Sequence, residues 1–193
     1  FALNIARNVA VNSNIPLAIF SLEMSSPQIS MRLLTSEARV DSSRLKSGYI
    51  SQDDWERVHN AADIMSTAPI FIDDTPSITA MEIRAKARRL KMEKNLGLII
   101  IDYIQLMKSP SMGDRRDLEI GEISRSLKGL ARELNIPIIA LSQLNRMLEQ
   151  RADKRPLMSD LRESGALEQD ADIIKFIYRD EVYNKDENNP SKG

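Results

Sequence analysis

Two acidic residues in this chain stand at the ends of apolar runs. Leu98-Ile99-Ile100-Ile101 leads directly into Asp102. An unbroken, largely β-branched run reads as a strand buried on both faces, the kind found at the centre of parallel sheets. An acid at the C-terminal end of such a strand borders the crevice where open α/β sheets bind ligands, and can hold Mg²⁺ on a nucleotide. Ile19-Phe20-Ser21-Leu22-Glu23 follows the same pattern. Two carboxylates on neighbouring strand ends suit nucleotide hydrolysis, one orienting Mg²⁺ and the other polarising the attacking water. Each also has a plainer reading: Asp102 as an ordinary strand end, and Glu23 as a lead into a helix cap at Ser25/Ser26.

Two further stretches carry candidate chemistry. Ile138–Leu141 runs out into Ser142-Gln143-Leu144-Asn145. An amide at Gln143 can hydrogen-bond a γ-phosphate and report its loss to the loop beyond, unless it is only a polar strand exit. Asp160–Asp172 begins with a turn containing Gly165 and leads into a short helix. Backbone N–H groups there, with Arg162 beside them, can receive a phosphate. Arg146, Arg151, Lys154 and Arg155 lie just upstream and would add attraction, although charge runs also occur as plain solvated loops.

The elements that must position these residues alternate. Strand candidates are Leu17–Leu22, Ile70–Ile72, Leu98–Asp102, Pro137–Ser142 and Ile173–Tyr178. Phe1–Val11 reads as a helix with Phe1, Ile5 and Val9 on one face. Ser26-Pro27 opens another, with Ser26 as cap and Pro27 at the first helical position. A third starts at Ser51-Gln52-Asp53-Asp54 and places Trp55, Val58, Ala62 and Met65 together. Thr79-Ala80-Met81-Glu82 is a capping box leading a helix that buries Ala80, Ile83, Ala87 and Leu90 and exposes Arg84, Arg88, Lys91 and Lys94. A long helix near Leu118–Leu134 buries Ile123, Leu127, Leu130 and Leu134. Such alternation predicts a parallel, doubly wound α/β sheet. Met107–Asp117 and Asn145–Ser159 are long, polar, basic-rich loops leaving the same sheet edge as Asp102, and loops of that kind are often functional.

Composition narrows the chemistry. The 193 residues contain no cysteine and a single histidine, His59. Disulfides, thiolate zinc sites and multi-histidine metal sites are therefore excluded, and the lack of cysteine fits a reducing cytoplasm. His59 sits in a helical pattern and reads as a surface or packing residue. A net charge of −1 means that any nucleic-acid binding must come from a local patch. No apolar run is long enough to span a bilayer, and no signal peptide is visible.

Ser21–Ser25, Ile99–Leu106, Leu141–Arg146 and Asp160–Asp172 occur in this order. Together they closely resemble the C-terminal RecA-like motor domain of bacterial replicative DNA helicases of the DnaB family, over nearly the whole chain. The string Asp-Leu-Arg-Glu-Ser-Gly…Glu-Gln-Asp-Ala-Asp is the most specific part. The resemblance implies a RecA-like P-loop NTPase core, a mostly parallel sheet with helices on both faces. It implies ATP and Mg²⁺ as cofactors, Glu23 as the water-activating glutamate, Asp102 as the Walker B acid in the Mg²⁺ shell, and Gln143 as the γ-phosphate sensor. Arg162, Glu163 and Gly165 match the family's loop that follows single-stranded DNA phosphates. The family works as a homohexameric ring and engages a primase and a helicase loader, in the cytoplasm.

The chain also departs from the family. No Gly-x-x-x-x-Gly-Lys-Ser/Thr occurs. The family carries that loop just before the helix that Phe1–Ala6 resembles, and continues past the equivalent of Gly193 into a strand with a Lys-x-Arg finger. The resemblance thus implies a single motor domain over residues 1–193, truncated at both ends, inactive alone and ATP-hydrolysing within its complete protein. The missing strand before the phosphate loop would leave sheet edges exposed. Two other readings remain: a non-catalytic RecA-fold module binding DNA or a partner, and a recombinase-type DNA-dependent ATPase.

Overall fold

Leu98–Asp102 forms a strand because every residue of its apolar run is covered from both sides. In this computed structural model, which describes residues 1–109 and 116–184 without the side chains of 116–117 and 162–164, Leu98, Ile99, Ile100 and Ile101 are all buried. The strands are β1 (Leu17–Ser21), β2 (Ile70–Asp73), β3 (Leu98–Asp102) and β4 (Ile138–Ala140). They pair in the order β2-β1-β3-β4, all parallel. Helices α1 (Ala2–Arg7), α2 (Ser26–Ala38), α3 (Ser42–Ser47), α4 (Gln52–Thr67), α5 (Ala80–Lys94), α6 (Arg116–Leu134), α7 (Gly165–Asp170) and α8 (Asp180–Tyr183) complete the chain. A π-helical turn at Asn8–Asn12 extends α1, and 3₁₀ turns cover Ile104–Leu106, Arg146–Gln150 and Met158–Ser164.

Alternation along the central strands feeds two cores. Ala18, Phe20, Ile99 and Ile101 pack with Ile83 and Ala87 of α5 and Ile120, Ile123, Leu127 and Leu130 of α6. Leu17, Ile19, Leu98 and Ile100 pack on the other face with Ala2 and Ala6 of α1 and Ile29 and Leu33 of α2. Helices therefore cover both faces, as expected. The chain passes from β1 to β2 and then back across to β3, so strand order reverses between β1 and β3.

Several expectations need correction. The α1 face against the sheet is Ala2, Ala6 and Ala10, with Ile5 and Val9 only flanking it and Phe1 exposed. Small side chains let this helix lie close to the strands. Ser25, not Ser26, precedes α2, and the Gln28 Oε1 accepts its N–H at 3.0 Å. In α4 the buried residues are Asp54, Val58 and Ala61 rather than Trp55 and Ala62. Asp54 is drawn inward by Arg44 and Arg57, which turns Trp55 outward to 54% exposure. β4 is shorter than Pro137–Ser142, although Leu141 continues the pairing through its N–H to the Ile101 carbonyl at 2.9 Å. Ile173–Tyr178 is not a strand. It pairs with no strand among the described residues, and Ile173 and Ile177 are 74% and 63% exposed. Without a ladder partner, alternation alone does not make a strand.

Elsewhere the expected patterns hold. Thr79 and Glu82 close their capping box reciprocally, at 2.8 and 3.2 Å. Arg84 and Arg88 are exposed on α5, and both pair with Glu133 of α6. His59 is a surface residue. Part of the Met107–Asp117 loop lies outside the described residues.

Candidate active site

The reversal between β1 and β3 creates a crevice beyond their C-terminal ends, the usual ligand position in open α/β sheets. Ser21 pairs with Asp102 in the register, and the Leu22 N–H reaches the Asp102 carbonyl at 2.8 Å. Glu23 follows one residue later. Its turn is held from several sides. The buried Ser21 hydroxyl accepts from the Met24 N–H at 3.2 Å and donates to the Met24 carbonyl at 2.7 Å. Asp74, just past β2, accepts the Ser26 N–H at 2.7 Å. Strands on both sides of β1 thus anchor the segment that presents Glu23, whose own side chain is exposed.

Asp102 is half-buried at the end of β3. Burial pushes its carboxyl above the usual range, and the negative charge of Glu23 adds to this, while Arg32 of α2 partly offsets it. The pair is therefore short of positive charge. Asp73, at the end of β2, differs. Burial pushes it up too, but Lys86, at 2.5 Å, and Thr75 override this and hold it below the usual range.

Gln143 is exposed just beyond β4. Its main chain is bound by the side chain of Gln105, from the turn after β3. Gln105 Oε1 accepts the Gln143 N–H at 3.2 Å, and Gln105 Nε2 donates to the Gln143 carbonyl at 3.1 Å and to the Ser142 hydroxyl at 2.8 Å. The Ile104 N–H also donates to the Leu141 carbonyl at 3.0 Å.

The third cluster lies farther along. Asn145 donates its N–H to the Asp160 carbonyl at 3.1 Å, closing the loop between them. Arg151 grips Asp160 with two nitrogens, at 3.0 and 2.9 Å. Lys154 lies over the Tyr183 ring and Arg155 over the Tyr178 ring, 5.4 and 5.1 Å from the centroids. Arg151, Lys154 and Arg155 are thus engaged within the chain, and among the described residues Arg146 alone of the four upstream cations keeps the open character expected of them all. Gly165 opens α7 with nothing within 4 Å of a Cβ placed on it. The side chains of Arg162 and Glu163 lie outside the described residues. α7 rests on α6, where a Cβ on Gly121 would stand 3.1 Å from the Ala166 Cβ.

The sequence reading missed Ser21, Arg32, Asp73, Asp74 and Gln105. A signal existed for two of them, since Ile70-Phe71-Ile72 ends in Asp73-Asp74 just as the other strands end in acids.

This arrangement defines the chain as a RecA-like α/β ATPase core. It superposes on a solved structure described as the ATPase domain of a larger chain, with a TM-score of 0.93 at 39% identity, covering 98% of this chain and 68% of that one. The match is equal, 0.93 at 38% identity, to a structure described as a DnaB-like replicative helicase and its interactions with primase, with 98% and 46% covered. The chain belongs to the DnaB-like helicase C terminal domain family, which it matches over residues 1–192. The replicative DNA helicase DnaB of Geobacillus stearothermophilus is 56% identical over 190 residues, and the replicative DNA helicase DnaC of Bacillus subtilis (strain 168) is 53% identical over 190 residues. In both cases 98% of this chain and 42% of the relative are covered. Family membership sets aside the recombinase-type alternative. Among the described residues no helix is long and apolar enough to cross a membrane.

Proposed function

We propose that this chain is the motor region of an ATP-hydrolysing replicative DNA helicase that translocates along single-stranded DNA as a homohexameric ring. The observation that carries the reading is the juxtaposition of Glu23 and Asp102 at the strand-order reversal. The relatives' naming as replicative helicases favours a motor over a non-catalytic module. A primase is the proposed partner because the structural neighbour is described with one. A helicase loader rests on the family resemblance alone.

In this reading Glu23 is the general base, held by its pinned turn so that little rearrangement precedes reaction. Asp102 holds Mg²⁺ and Gln143 contacts the γ-phosphate. The residues fit that ion, because the electrostatic strain on Asp102 beside Glu23 is what a cation relieves. Among the described residues no group of three or more acids or histidines forms a metal cage. Mg²⁺ bound with a nucleotide needs only one or two carboxylates, the rest coming from phosphate and water. When bound, Mg²⁺ neutralises charge on the phosphates. Arg162, Glu163 and Gly165 are proposed to follow the DNA backbone, with phosphate contacts that position without reading sequence.

The test is Glu23→Gln in the complete protein. Turnover falls by about 10²–10⁴-fold, the usual contribution of a general base, while ATP binding persists. Near-normal turnover in this variant removes Glu23 from the chemistry.

A further inference from the structure

Among the described residues, Gln105 is the side chain that joins the end of the Asp102 strand to the main chain of Gln143. Its amide meets the Gln143 peptide on both sides, accepting the N–H at 3.2 Å and donating to the carbonyl at 3.1 Å. A side-chain amide bound in this way acts as a third strand residue, continuing the β3–β4 ladder where the backbone pairing has stopped. The last backbone links are Leu141 N–H to Ile101 and Ile104 N–H to Leu141. Beyond them, Gln105 supplies the contacts that tie residues 142–143 to the turn after β3, including the bond to the Ser142 hydroxyl at 2.8 Å. Two residues after Gln143, Asn145 begins the loop that Asp160 closes. The bound peptide therefore lies between the carboxylate edge and that loop.

We infer that Gln105 is a positioning residue that fixes the peptide of Gln143, so that the Gln143 side chain meets the nucleotide phosphate in one orientation. The inference rests on the reading of Gln143 as the phosphate sensor. Gln105 touches no nucleotide. It acts through Gln143, and its value depends on Gln143 being present. Removing Gln105 releases the peptide N–H and carbonyl to water and lets the sensor side chain sample orientations off the reaction geometry. A small misplacement of a reacting group costs on the order of a hundredfold in rate.

The experiment is a double-mutant cycle in the complete protein, with ATP turnover measured in the presence of single-stranded DNA for Gln105→Ala, Gln143→Ala and the pair. Each single variant is expected to lower kcat by about ten- to a hundredfold with KM for ATP little changed. The double variant should be no slower than Gln143→Ala alone, which a merely structural role for Gln105 does not produce. Gln105→Glu has the same size and keeps the acceptor for the Gln143 N–H but loses both donor contacts. It takes the place of the alanine variant if that fails to fold, with the same expectation. Losses that multiply in the double variant, or a Gln105 variant with normal kcat beside a slow Gln143→Ala, overturn the inference and leave the sensor reading intact. A normal kcat in Gln143→Ala overturns the sensor reading itself, and the inference with it.

Discussion

Replacing Arg151 by alanine tests whether the loop after Gln143 is held by one ion pair. Arg151 donates to both Asp160 oxygens, to the Arg155 carbonyl at 2.7 Å and to the Asp153 carbonyl at 3.2 Å. The Asp160 side chain is 9% exposed and that of Arg151 is 32% exposed. Breaking a fully buried pair costs about 3–5 kcal/mol, and an exposed one about 0–1. With one partner buried and the other a third in water, the expected loss is about 2 kcal/mol. The Leu157 N–H still reaches Asp160 at 2.7 Å, which keeps the value from rising further. At about 1.4 kcal/mol per tenfold, this is close to a 30-fold shift in the local opening equilibrium. No strand or long helix passes through this segment, so opening is local. Hydrogen exchange at residues 145–160 should accelerate by about that factor while exchange in the sheet stays unchanged. Arg151→Lys, which keeps the charge without the fork, should fall in between. Unchanged protection in the loop, or a loss spread evenly through the sheet, refutes the argument.

Asp102→Asn should stabilise the folded protein at neutral pH. A carboxyl raised above its unfolded value contributes stability that is full below the ordinary carboxylate range and lost as pH rises through the folded value, so ionised Asp102 is a burden at pH 7. The gain in melting temperature should vanish below about pH 4, and a lower melting temperature at pH 7 contradicts the assignment. Gly121→Leu should overpack the α6–α7 contact at a cost of about 1–3 kcal/mol. If Gly165 follows DNA, this variant of the complete protein should bind single-stranded DNA more weakly while ATP affinity holds. Equal DNA affinity would show that the seat of α7 does not matter to that surface.

The central strands and the carboxylate edge were readable because each is a local pattern. Leu98–Asp102 announces its burial in five consecutive residues, and the structure reproduces those bounds. Glu23 and Asp102 follow from strand ends alone, and the structure brings them side by side. Helix faces were harder. The choice between Ala61 and Ala62 in α4 depends on a buried aspartate held by two arginines, and Arg44 comes from another helix. Ile173–Tyr178 has a strand's alternation, but a strand also needs a neighbour, which no local pattern encodes. Gln105 and Asp74 escaped notice for a related reason. Their hydrogen bonds span 38 and 48 residues of chain and leave no periodic trace. The DNA-facing assignment rests on resemblance, since the Arg162 and Glu163 side chains lie outside the described residues.

The division of β1 and β3 between two cores bears on how the chain avoids folding errors. Successive residues of each strand serve opposite helix layers, Ala18 and Phe20 on one side, Leu17 and Ile19 on the other. A slip of one residue between these strands would turn each layer's residues toward the wrong helices. It would also move Asp102 by about 3.3 Å along the strand, away from its place opposite Ser21. A misregistered intermediate is thus penalised in both layers at once, and the same penalty guards the spacing of the two carboxylates. Proofreading of the acid pair is carried by residues that never approach it, and an alanine or isoleucine deep in either layer is as much a part of that safeguard as the acids themselves.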